Sequence, residues 1–192
     1  MISKIPTLNI NRHKFGSSEI ILIQGSIKLE TWKGYQSRLG DYNSIDKIDK
    51  SDGSVKLEIG GDMVIEFPEI KIDHVNSYNF LLENQQLLRD NILSELINYY
   101  NFLKEEYNYS EEDLELMPDI THVNDFSNLI GLSTIHLLNV FKDDFAYVGY
   151  EFGCNWDEEH GLGILTYKDR IIEIGCADTS YLTWKAENDL NN

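Results

Sequence analysis

Leu162-Gly-Ile-Leu-Thr-Tyr167-Lys-Asp-Arg170-Ile-Ile-Glu-Ile174 is the stretch that sets the fold class. Two short runs rich in Ile, Leu, Thr and Tyr flank the dipeptide Lys168-Asp169, the length of a tight hairpin turn. The runs at 133–140 (Ser-Thr-Ile-His-Leu-Leu-Asn-Val) and 145–152 (Phe-Ala-Tyr-Val-Gly-Tyr-Glu-Phe) have the same character. The last third of the chain therefore reads as antiparallel strands. Helical turns are expected over 178–184 and a frayed tail over 188–192.

Moving outward, the period changes. Leu81, Leu88, Ile92, Leu96, Tyr99, Leu103 and Tyr107 recur at helical steps. With no Gly or Pro between them, the spacing predicts one long helix over 77–107, capped by Asn76 or Ser77. Ser110-Glu-Glu-Asp113 opens a short second helix that Pro118 ends, and Asp125 caps a turn that stops at Gly131. Further out, 20–23, 26–30, 55–59 and 63–67 read as strands. Gly and Asp residues at 51–53 and 60–62 supply the turns, and Pro68 confines 66–72 to a sheet edge or a break. The fold class is α+β: antiparallel sheet from both ends of the chain packed on a long central helix. The expectation is a single domain over 1–192, divided into a β lobe (1–75), a helical region (76–131) and a β meander (132–187).

The 192 residues are 42% hydrophobic and 11% aromatic, enough for a folded core. Asp and Glu number 33 against 16 Lys and Arg, a formal charge of −17. That field opposes nucleic acid and anionic lipid and favours a basic protein partner. The aromatic and basic residues Trp32, Lys33, Tyr35 and Arg38 do not overturn this, and Trp32 and Tyr35 fit a β core or its rim. No apolar run is long enough to span a bilayer and no basic leader precedes 20–27, so the expected compartment is the cytoplasm.

Side chains able to do chemistry concentrate in Glu151-Phe-Gly-Cys-Asn-Trp156-Asp-Glu-Glu-His160-Gly-Leu-Gly163. Its start, Glu151-Phe-Gly-Cys154, is echoed by Glu173-Ile-Gly-Cys176. If the last three strands form a meander, the loops 155–160 and 176–178 meet on one rim. Asp157, Glu158, Glu159, His160, Asp178 and both thiols gather there. Two strand spacings, about 9.5 Å, would then part the cysteines, beyond the roughly 7 Å reach of a disulfide.

Three uses of this loop follow from its residue types. Asp157, Glu159 and His160 suit a divalent metal such as Zn or Mn, with His122 or His136 as remote donors, although no His-x-x-x-His or Cys-x-x-Cys spacing accompanies them. Glu159 and His160 suit proton transfer, and His160 could activate Cys154, yet no nucleophile or phosphate-binding motif is present. Trp156 among acids suits recognition of a partner, or a plug at the end of the sheet. In the structural alternative, the acids cap loop backbone and His160 is a loop hydrogen-bond partner.

Phe152, Gly153, Cys154, Trp156, Asp157, Glu159, His160, Gly161, Leu162 and Gly163, followed by Gly175, Ala177 and Asp178, resemble the C-terminal signature of a bacterial domain family of unknown function. Trp32-Lys-Gly-Tyr35, the Asp52-Gly53 turn and the middle helix are also similar, and Cys176 stands where a small residue is usual. The resemblance implies an α+β bacterial protein with no established catalytic residues, and relatives encoded beside toxin and immunity-type genes. The expected function is binding of a basic protein, as an immunity or antitoxin-like protein. Its surface would include Trp156, Asp157, Glu159, His160 and Asp178, with Glu111, Glu112 and Asp113 adding charge. A metal-dependent hydrolase using Asp157, Glu159 and His160 is the alternative.

Overall fold

The computed structural model describes residues 5–15, 18–38, 50–62, 69–106 and 115–191. Seven strands form one sheet in chain order: β1 (Asn9–Phe15), β2 (Ser18–Lys28), β3 (Ser54–Gly60), β4 (Ile130–Lys142), β5 (Phe145–Cys154), β6 (Leu162–Tyr167) and β7 (Arg170–Gly175). Every neighbouring pair is antiparallel except β3 and β4, which run parallel. A parallel pair needs a long crossover, and the helical segment supplies it. The sequence runs at 20–23 and 26–30 fall in one strand, β2, up to Lys28, with Glu30 already in a 3-10 turn; β2 pairs with β3 through Gly25 opposite Leu57. β1 carries no apolar alternation that would have revealed it.

The expected single long helix is two: α1 (Ile72–Glu83) and α2 (Gln85–Glu106). Asn84 leaves the helical region at φ −117° and ψ 18°, and its side-chain amide donates to the Phe80 carbonyl. That bond competes with continued helix, as short amide side chains do. The start also differs. Lys71 is the cap residue, so the helix begins five residues before 77, and 69–71 is neither strand nor helix. The predicted strand at 63–67, Pro68, Tyr107 and the helix start at 110–113 lie outside the described residues.

The two faces of the sheet are covered differently. Ile23, Leu57, Ile135, Leu137, Tyr150 and Ile164 pack against Leu81, Leu88, Ile92, Leu96 and Tyr100 of the helices. Trp32 sits in this layer, edge-on to Tyr35 at 5.0 Å and to Phe152 at 5.1 Å. Alternation turns the intervening residues to the other face. There α3 (Thr183–Leu190) covers Leu138, Val140, Tyr147, Leu165 and Tyr167 through Ala186. The tail is thus ordered to Leu190, since Arg170 donates twice to Asp189, at 2.8 and 2.7 Å. A 3-10 turn over Val123–Asn128 ends before Gly131, which already belongs to β4. Among the described residues no helix is long and apolar enough to cross a membrane.

Candidate functional site

β5, β6 and β7 are consecutive antiparallel neighbours, so the loops that follow β5 and β7 share one end of the sheet. They touch: the Ala177 amide donates to the His160 carbonyl at 2.9 Å. Cys176 caps a 3-10 turn (Ala177–Ser180) that lies flat on the second face. The sheet admits backbone there because two strands carry glycine beneath it. A Cβ on Gly149 would stand 1.6 Å from the Ser180 carbonyl oxygen, and one on Gly163 would stand 2.4 Å from that of Cys176. Gly149 and Gly163 therefore seat a turn on the sheet.

Each turn is fixed by its own side chains. Asp157 Oδ1 accepts from the His160 amide at 2.9 Å and lies 3.0 Å from His160 Nδ1. Asn155 Oδ1 accepts from Gln36 at 2.8 Å and from the buried Arg38 at 2.7 Å. Ser180 Oγ donates to the Ala177 carbonyl at 2.6 Å. Trp156 is half-buried and packs edge-on against Tyr100 of α2 at 5.1 Å.

An open cleft of about 450 Å³ results, lined by Glu151, Glu158, Glu159, His160, Asp178 and Tyr181 together with the backbone around Gly153, Gly161 and Ala177. Trp156 and Asp157 lie instead on a smaller recess of about 260 Å³ beside Tyr99 and Leu103 of α2. His160 and Cys176 border both spaces. The five candidate residues are thus divided: Glu159 and Asp178 on the cleft, Trp156 and Asp157 on the recess beside α2, and His160 on both.

Beneath the cleft is a group that the loop motif does not reveal. His136 Nε2 lies 2.7 Å from Glu151 Oε2, and its Nδ1 lies 3.5 Å from Glu58 Oε2. Glu58 also accepts from Gln24 at 2.6 Å and pairs with Lys56 at 2.5 Å. Tyr181 covers the imidazole, ring centres 5.5 Å apart. Glu151 connects the buried His136 to the cleft wall. The sequence signal was faint: one His in an apolar strand, and one Glu among the glycines of β5. His122, by contrast, caps the 3-10 turn at Val123–Asn128, where Asp125 accepts from its amide.

The thiols are free and unlike each other: Cys154 is buried, Cys176 exposed. Burial pushes the Cys154 thiol up to about 12, and its Sγ lies 3.4 Å from the Asp157 carbonyl oxygen. A thiol in that state is a poor nucleophile near neutral pH. Among the described residues no three His, Cys, Asp or Glu side chains are grouped to hold a metal ion. The arrangement offers a carboxylate-lined concavity with one phenol ring, whose charge and shape suit a cationic group.

Residues 25–182 match the model of a family described as Domain of unknown function (DUF6985). No curated protein and no solved structure matches the chain.

Proposed function

The chain belongs to the DUF6985 family, and from that premise we propose that it is a protein-binding module whose contact surface is the acidic cleft. Its partner is a basic protein, and the most concrete form of the role is a bacterial immunity or antitoxin-like protein acting in the cytoplasm. The observation that carries the reading is the lining: Glu151, Glu158, Glu159 and Asp178 with Tyr181, and, among the described residues, no Lys or Arg. A Lys or Arg side chain entering the cleft would meet carboxylates and an aromatic ring, both attractive to a cation. The formal charge of −17 extends the attraction beyond contact and raises the encounter rate. Glu111, Glu112 and Asp113 contribute to that charge.

The metal-dependent hydrolase, with Zn or Mn on Asp157, Glu159 and His160, has less support. Asp157 is engaged in holding His160 in its turn, and Glu159 lines the cleft that Asp157 does not.

Capture by the product of the neighbouring gene tests the binding reading. At low salt the wild-type chain should retain a basic partner. Glu158→Lys with Glu159→Lys should slow association about ten-fold or more, and added salt should narrow the gap. No capture at low salt would remove the protein-binding reading. Equal association by the charge-reversed chain would move the contact away from the cleft.

A further inference from the structure

Thr31 Oγ1, Gln85 Oε1 and Tyr150 OH, on the helix side of the sheet, are among the buried polar atoms that lack a hydrogen-bond partner among the described residues. They come from three elements: the 3-10 turn Glu30–Trp32, the first residue of α2, and β5. All three residues line one small space, whose other walls are Leu29, Trp32, Leu81 and Leu88. Three residues with an unpaired buried polar atom thus border one space inside a hydrophobic layer. Each would carry its full desolvation penalty if left so.

The space measures about 10 Å³, the size at which a single water centre fits. Buried waters typically make about three hydrogen bonds to polar atoms that lack other partners. The donor and acceptor count also balances. Gln85 Nε2 donates to the Leu82 carbonyl at 3.1 Å, so the amide oxygen is the atom turned inward. Both hydroxyls are then available as donors.

We propose that this space is a binding site for one structural water, which accepts from the hydroxyls of Tyr150 and Thr31 and donates to Gln85 Oε1. Burial raises the Tyr150 phenol above its ordinary value, so the hydroxyl remains a donor across the neutral range. The water joins the head of α2 to the sheet just after Asn84, where the helical segment breaks. It pins the break at one residue, because a shift of α2 by a single position would turn Gln85 away from the site. The inference is independent of the protein-binding reading and concerns the opposite face of the sheet.

Tyr150→Phe and Thr31→Val in the full chain test it, since both keep shape while removing a hydroxyl. If water bridges the three atoms, each substitution should lower Tm by about 2–5 °C. The two together should lower it by less than the sum, since they share one bridge. Oxygen-17 magnetic relaxation dispersion should count one long-lived water fewer in Tyr150→Phe than in the wild type. A Tyr150→Phe chain with unchanged or raised Tm would overturn the proposal, because deleting a truly unpaired hydroxyl relieves a penalty. An unchanged water count would overturn it as well, whatever Tm does.

Discussion

At the scale of single residues, burial decides what each reactive side chain does. His160 and Asp157 look like a proton-transfer pair in sequence, but they close a four-residue turn. Cys154 is silenced by burial. His74 shows the same effect with a measurable consequence. It is fully buried in α1, and burial pushes it down to about 4 from an ordinary 6.5. The unfolded chain therefore takes up a proton near pH 6.5 that the folded chain refuses until about pH 4. Stability is complete above pH 6.5, falls as pH drops through this window, and levels off below it with respect to this group. The loss between pH 7 and pH 5 should be about 2 kcal/mol. Urea unfolding of the wild type and His74→Gln at the two pH values checks this. The variant should lose that part of the pH dependence, and an equal slope in both chains would assign the effect elsewhere. Nothing in the sequence marked His74 as buried, because its depth depends on Phe141, which packs edge-on at 5.0 Å from a strand 67 positions later.

At the scale of elements, strands 5 to 7 were the most legible part of the chain. β6 has the bounds its sequence pattern indicates, and β7 is longer by one residue. Hairpin turn chemistry is local, so the sequence carries it directly. The helical segment was legible in kind but not in continuity. Apolar periodicity passes through Asn84 undisturbed, whereas the break follows from a side-chain bond and from packing. The glycines of β5 and β6 carry a role that spacing along the chain does not specify. Their role lies in what rests on them, the turn Ala177–Ser180, which is distant in sequence from Gly149. Gly149→Ala would bring a methyl group to 1.6 Å from the Ser180 carbonyl oxygen, a distance no small rearrangement absorbs. It should destabilise the protein by more than about 3 kcal/mol, read by chemical denaturation. A loss below about 1 kcal/mol would mean that the turn lifts away easily.

At the scale of the whole molecule, the second face of the sheet depends on the last element of the chain. Leu138, Val140, Tyr147, Leu165 and Tyr167 are each no more than 8% exposed, and Ala186 of α3 packs among them. Ending the chain after Leu182 would uncover this cluster and delete Asp189, the partner of Arg170 and Tyr147. The shortened chain should bind a hydrophobic dye, self-associate and melt at a lower temperature. A monomer with unchanged Tm and no dye binding would show that α3 is dispensable. The sequence by itself determined the α+β class, the meander at the C-terminal end and the acidic field, because these follow from local periodicity, turn residues and composition. Only the tertiary structure decided the single sheet with its parallel β3–β4 pair, the division of the acidic loop between two recesses, and the Glu58–His136–Glu151 group. Those depend on contacts between segments far apart in the chain, where packing and burial, rather than spacing along the sequence, determine which side chains meet.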